Sequence, residues 1–246
     1  MMNIWGMTDI GLVRRENQDA YAVRISEDSG HTICVVCDGM GGPGGGKLAS
    51  TLAVDAFVDS CLANLRWDMS WEQVKETAVF AVAAANTAIY ERACIELGLQ
   101  GMGTTLVSAI VRDGRAVFNN VGDSRAYLIR RGVITRITKD HSLVERLVDQ
   151  GDITEEEARC HPHRNLITRA LGPDREALSD SYEVFLEPGD WLLLCTDGLT
   201  GTVTDLEMAR ELTADTDDNE RLSRLLQLAK KRGAPDNVTA VLLRQQ

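Results

Sequence analysis

Two stretches of this chain, "ICVVCDG" and "LLLCTDG", are apolar strand-like runs that end in an aspartate followed by glycine, Asp38-Gly39 and Asp197-Gly198. "NNVGD" and "GAPDN" put Asp123 and Asp236 at two further strand edges. A single Asp-Gly is ordinary turn chemistry. Four carboxylates at strand ends acquire another meaning if they converge at one rim of a sheet sandwich. Uncompensated, they would repel one another and resist ionisation, so a converging set implies bound divalent metal. All-oxygen ligands select magnesium, manganese or calcium over zinc. Two such ions about 4 Å apart generate a bridging hydroxide and clamp a phosphoryl group for in-line attack. The phosphate then needs a cation of its own. Arg14, in "GLVRRENQDA", is a candidate, because a guanidinium pairs bidentately with two phosphate oxygens.

Competing sites fare worse. In "CVVCDGMGGPGGGKL", Gly39-x-Gly41-x-x-Gly44 has the spacing of a dinucleotide fingerprint, and Gly41 to Lys47 that of a nucleotide P-loop. The first needs a strand soon after its helix, yet two helical patterns follow before the next strand. The second needs Ser or Thr after its lysine and has Leu48, while Asp38 just upstream repels phosphate. Cys34 and Cys37 form a C-x-x-C inside a strand pattern, so they point to opposite faces and read as small buried hydrophobes. Cys160-His161-Pro162-His163 offers three possible ligands in four residues but no second ligand pair nearby, and reads as a surface loop.

The elements that must position the acids are legible in outline. Asp113-Gly114 and Arg131-Gly132 each separate two strand patterns and predict two hairpins, hence four consecutive antiparallel strands. Pro188-Gly189-Asp190 turns "YEVFLE" into "WLLLCTD", "NVTAVLLR" forms the last strand, and "AYAVRIS" and "HTICVVC" flank a polar turn near the start. Helices are expected from Lys47 to about Arg66 and from Trp71 to about Leu97. The second has Ser70 and Gln73 as a capping box, Met69 and Val74 as a hydrophobic staple, and Gly98 at its end. Two more are expected near Leu206 to Leu212 and Glu220 to Lys231. Residues 141 to 178 show no strand pattern and read as short helices and polar loop, an inserted flap.

Composition narrows the partners. The 246 residues carry no Pro, Gly or Ser-rich linker, which favours one domain over residues 1–246. With 26 basic against 37 acidic residues the formal charge is −11, which repels nucleic acid and anionic membrane surfaces. No apolar run approaches a membrane span, and the amino terminus lacks the pattern of a signal peptide, so a cytoplasmic location is expected. The six cysteines do not form a disulfide framework.

The segments "GLVRRENQDA", "CDGMGG", "GMGTTL", "VGDSRAYL", "ITKDHSL", "HPHRNLITRALG", "CTDGLTG" and "PDNVTAVLL" span nearly the whole chain, and in this order they resemble the bacterial branch of the metal-dependent protein phosphatases of type 2C. The resemblance implies an α+β fold, a four-layer α-β-β-α sandwich of two antiparallel sheets flanked by helix pairs, with the flap at about 141–178. It implies hydrolysis of phosphoserine and phosphothreonine on proteins by a hydroxide bridging two Mn2+ or Mg2+ ions, reversing the work of a Ser/Thr kinase, in a monomer. Carried over by position, Asp38 bridges both metals and the Gly39 carbonyl completes one of them. Asp197 and Asp236 hold the other, Asp19 acts through water, Arg14 binds the substrate phosphate, and Asp123 with Asp197 holds a third ion. Thr104 and Thr105 are left as strand residues. The chain departs from the pattern at Gln18, where an acid is common, and at Met40, where eukaryotic members carry a histidine proposed as general acid. It departs again at Pro43 and Lys47, in place of His and Glu, and at Gly201, where many relatives have a further acid. His161 on the flap is then a candidate proton donor. A rival reading is a catalytically weak regulatory relative that binds phosphoproteins; the retained Asp38, Asp197, Asp236 and Arg14 favour activity. A calcium-binding structural domain lacks its ligand series here and leaves Arg14 unexplained.

Overall fold

In the computed structural model, which describes residues 2–42 and 44–246, eleven strands form two antiparallel sheets. Pro43 lies outside the described residues, and Asn219 is described by its backbone alone. The strands are β1 (Met2–Asp9), β2 (Asp19–Ile25), β3 (Thr32–Met40), β4 (Gly103–Thr104), β5 (Leu106–Arg112), β6 (Arg115–Val121), β7 (Arg125–Arg130), β8 (Val133–Arg136), β9 (Asp180–Phe185), β10 (Trp191–Cys195) and β11 (Val238–Gln245). One sheet runs β2-β3-β5-β6-β9, with β4 paired to the end of β3; the other runs β1-β11-β10-β7-β8. The helices are α1 (Gly45–Asn64), α2 (Trp71–Ile95), α3 (Leu143–Gln150), α4 (Glu155–Cys160), α5 (Asp197–Thr200), α6 (Asp205–Thr213) and α7 (Asp218–Lys231).

Strand periodicity explains the layering. Along β3, Ile33, Val35 and Cys37 face α1 and α2, where they join Phe57, Val74, Ala81 and Ile89 in one core. Cys34 and Val36 face the other sheet and meet Leu192, Leu194, Val241 and Leu243. Cys34 and Cys37 therefore lie in different cores, as alternation requires, and both thiols are free. A third core joins the far side of the second sheet, through Leu193, Cys195 and Leu242, to Met208, Leu212, Leu222 and Leu225 of α6 and α7. The order of layers is thus helices, sheet, sheet, helices.

Both expected hairpins form, with Asp113 at φ +49° and Gly114 at +72°, and Arg131 at +52° and Gly132 at +82°. Positive φ at both central residues is the turn whose twist matches a β-ribbon. The hairpins lie in opposite sheets, because the chain crosses between layers at Gly122–Ser124. The Pro188-Gly189-Asp190 turn crosses in the same way, from β9 to β10. Ser70 and Gln73 do form a capping box on α2. β1 falls on residues that show no clear strand pattern; it forms by pairing its whole length with β11. α2 is the one helix among the described residues long and apolar enough to cross a membrane, reaching a mean hydropathy of 1.2. Its buried face, Val74, Ala78, Ala81, Val82, Ala85, Ile89 and Ala93, belongs to the first core. Segment 141–178 holds α3 and α4, neither with a buried residue, and is tied down by bridges Ser142–Ile167 and Thr104–Leu171.

Candidate active site

Asp38 sits near the end of β3, directly across from Asp19 of β2. Its backbone is held by two threonines. The Asp38 N–H donates to Thr105 Oγ1 at 3.0 Å, and its carbonyl accepts from Thr104 Oγ1 at 2.8 Å and Thr105 N at 2.9 Å. Thr104 is a strand residue as expected, whereas Thr105 lies between β4 and β5, and both threonines also fix the main chain that carries Asp38. A Cβ on Gly39 would overlap the Gly46 carbonyl oxygen at the start of α1, so the glycine allows two backbones to touch. The same holds at Gly198, where a Cβ would overlap the Asn237 carbonyl. Neither Asp-Gly is a turn in the sense its composition suggests.

The second sheet supplies Asp197 and Asp236. Asp197 opens α5 immediately after β10, and Asp236 precedes β11. Thr196 joins the sheets: its hydroxyl donates to Asp19 Oδ2 at 3.0 Å and accepts from Thr239 N at 3.0 Å. Asn237 is a second joint. Its Oδ1 accepts from Gln18 N at 2.9 Å, while Nδ2 donates to the carbonyls of Ile10 and Glu16 at 2.9 and 3.1 Å. The loop between β1 and β2 is thereby fixed, and Arg14 on it donates to Asp236 Oδ2 at 2.7 Å. Asn237 and Thr196 are functional supports that sequence reasoning missed, although both lie inside or beside the quoted motifs.

The acids perturb one another electrostatically. Burial pushes the Asp19 carboxyl up to about 7, with Asp197 and Asp236 adding to the rise and the Thr239 and Thr196 hydrogen bonds opposing it. Asp38 is raised well above the carboxylate range, first by burial and then by Asp19, Asp197, Asp123 and Asp236. Asp123, on the crossing between β6 and β7, is raised by burial, Asp197 and Asp140, and Arg125 pulls it down. Burial and Asp236 raise Asp197. Arg14 is held more strongly protonated by Asp236, and further by Asp38 and Asp197. The structure thus brings Asp19, Asp38, Asp123, Asp197 and Asp236 to one rim between the sheets, with Arg14 at its edge. His161 follows α4, accepts from His163 N at 3.1 Å, and does not line the cavity beside Asp123 and Asp197.

Two carboxylate oxygens at this rim, Asp19 Oδ1 and Asp197 Oδ1, are buried without a hydrogen-bond partner. Buried polar atoms ordinarily find partners, so the oxygens suit a cation, and the all-oxygen donor set suits a hard one. No three acidic, histidine or cysteine side chains among the described residues are already gathered as a finished ligand set. A cavity of about 500 Å3 opens beside Asp123 and Asp197 and runs under α3 and α4 to Arg159 and Arg164.

A two-sheet sandwich with buried acids from both sheets at one rim and an arginine beside them has the form of a metal-dependent hydrolase. The chain belongs to the protein phosphatase 2C family, whose model matches residues 14–242. It is 36% identical over 236 residues to the serine/threonine phosphatase stp of Listeria monocytogenes, covering 96% of this chain and 93% of the relative. It is 35% identical to the protein phosphatase PhpP of Streptococcus pneumoniae, covering 98% and 97%. The fold matches the Streptococcus agalactiae serine/threonine phosphatase with a TM-score of 0.93 and 32% identity over all of both chains. It also matches the catalytic domain of the phosphatase PstP in complex with two manganese ions, with a TM-score of 0.85, 36% identity and coverage of 99% and 97%.

Proposed function

We propose that this chain hydrolyses phosphoserine and phosphothreonine on proteins with two Mn2+ or Mg2+ ions, reversing a bacterial Ser/Thr kinase in the cytoplasm as a monomeric single domain. The observation that carries the reading is the rim of buried acids, with Asp19 Oδ1 and Asp197 Oδ1 unpartnered. Bound there, the ions supply Lewis acidity, activating water at neutral pH and drawing charge from the phosphoryl oxygens. Asp38 would serve both ions and the Gly39 carbonyl one of them; Asp197 and Asp236 would hold the other, and Asp19 would act through water. Asp123 is the candidate for a third ion, with Gly201 beside it in the same cavity wall offering no further carboxylate.

Arg14 is the substrate's own contact. Its side chain is half exposed, with 51% of its surface open, and one face of the guanidinium is already oriented by Asp236. It would pair with two phosphate oxygens and hold the ester in line for attack. The fixed loop behind Arg14 matters because misplacement by an ångström costs orders of magnitude in rate.

The test is hydrolysis of a phosphothreonine peptide by purified protein with manganese, and again after chelation. Manganese-dependent release of phosphate is expected, and activity that persists in chelator would overturn the two-metal reading. Binding of phosphopeptide without turnover at any manganese concentration would establish the regulatory alternative instead.

A further inference from the structure

Four of the sixteen large apolar side chains exposed among the described residues fall within seven positions: Met7 (38% exposed), Ile10 (39%), Leu12 (60%) and Val13 (68%). They occupy the end of β1 and the loop that carries Arg14. A slack loop would fold such side chains inward, but this one is fixed at several points. Leu12 N donates to the Ala234 carbonyl at 3.0 Å, and Gly11 N donates to Asp9 Oδ1 at 2.9 Å. Asn237 grips the Ile10 and Glu16 carbonyls, and Gly11, at φ +78°, lies so close to the Asp236 carbonyl that no Cβ would fit. Asp9 is itself paired to Lys230 at 2.8 Å. The backbone that aims Arg14 at Asp236 therefore also holds the aliphatic tips in water, where each forgoes burial.

We propose that Leu12 and Val13, with Ile10 beside them, form an apolar docking surface for the residues flanking the phosphorylated serine or threonine. The substrate class is then a phosphopeptide with an aliphatic side chain within two positions of the phosphate. This rests on Arg14 as the phosphate ligand. Leu12 and Val13 lie two residues and one residue from Arg14, within about 7 Å along the chain. An extended peptide spaces same-face side chains by nearly the same about 7 Å. A phosphate on Arg14 thus brings a neighbouring side chain within reach of this pair. The charge of the chain, −11, and the acidic rim favour an apolar neighbour over an acidic one.

The experiment compares kcat/KM for phosphothreonine peptides identical except for Leu, Ser or Glu in the two positions on either side of the phosphate. Each value is taken with manganese and normalised to hydrolysis of p-nitrophenyl phosphate by the same preparation. Wild-type protein is expected to favour the Leu peptide over the Ser peptide about tenfold, the scale of one partly buried aliphatic contact. The double variant Leu12→Ser/Val13→Ser is expected to lose that ratio. Val13→Ser alone, at the more exposed position, repeats the test with less disturbance of the loop and is expected to lose part of it. Equal use of the peptides by wild type, or a Leu preference that survives both variants, overturns the docking surface while leaving the phosphatase reading intact. A concentration-dependent dimer that the double variant abolishes would assign the surface to a second copy of the chain and overturn the proposal too. No hydrolysis of p-nitrophenyl phosphate by wild type would overturn the phosphatase reading and this inference with it.

Discussion

Asp38 and Asp197 each precede a glycine whose replacement forces a shift, because at both a Cβ would meet the carbonyl oxygen of a neighbouring segment. Gly198→Ala is expected to lower stability by about 1–3 kcal/mol, the usual cost of overfilling a packed site. Denaturant unfolding checks the loss, and manganese titration should show weaker binding as Asn237 and Asp236 are pushed aside. Asp38→Ala is expected to abolish phosphopeptide turnover, at least a thousandfold below wild type; retention of rate would remove Asp38 from the site. Asp19 gives a pH signature. Its carboxyl rises from 3.8 to about 7 on folding, so the folded chain binds the proton more tightly than the unfolded one. The stability this contributes is fully present below about pH 4 and is lost as the pH climbs through about 7. Metal-free Asp19→Asn is therefore expected to gain stability relative to wild type across that interval, by an amount on the order of a few kcal/mol. A difference that stays flat with pH, in melts run with chelator, would contradict the burial argument.

The element that ties the acid rim to α3 is the five-residue strap from Thr138 to Ser142. Thr138 Oγ1 accepts from Ala126 N at 3.0 Å, and the Lys139 carbonyl accepts from Asn120 Nδ2 at 2.9 Å. Asp140 takes three hydrogen bonds from Arg125, the shortest 2.7 Å. The His141 N–H donates to the Gly122 carbonyl at 2.8 Å, and its Nδ1 accepts from Gly122 N at 3.1 Å. Ser142 caps α3. Every residue of the strap thus reaches the crossing that carries Asp123, the strands β6 and β7 on either side of it, or the helix beyond. Asp140→Ala would strand the Arg125 guanidinium, whose side chain is 21% exposed, and is expected to cost about 3–5 kcal/mol. A fall in the urea midpoint with an unchanged slope would be the measurement. The sequence pattern "ITKDHSL" marked this segment only through family resemblance. Its hydrogen bonds to β6, β7 and the turn between them reach residues 12 to 19 positions away, across a layer crossing that no local periodicity encodes.

At the scale of the molecule, the acid rim opposes folding until its charge is compensated. Four of its carboxyls are raised by burial and by one another. A cation that binds only the folded chain stabilises it by mass action, about 2.7 kcal/mol at a hundred times its dissociation constant. For a chain this long that corresponds to a rise of roughly 5–10 °C in Tm. The rise on adding Mn2+ is expected to be larger at pH 7.5 than at pH 5, where the raised carboxyls hold protons that metal must displace. Scanning calorimetry at the two pH values checks it, and an equal rise at both would detach the metal from these acids.

By itself the sequence determined the apolar strands, both tight hairpins, the capped second helix, the opposite facing of Cys34 and Cys37, and which aspartates end apolar runs. These are local properties, written in periods of two and 3.6 and in turn residues. The tertiary structure alone decided that the two hairpins part into different sheets and that β1 pairs with β11. It also decided that Asp19 and Asp38 from one sheet meet Asp197 and Asp236 from the other, and that Asn237 and Thr196 join them. The reason is that burial and charge convergence depend on which distant segments share a layer boundary. An aspartate before a glycine is a turn residue until another backbone comes close enough to require the glycine, and another carboxylate close enough to raise its pKa.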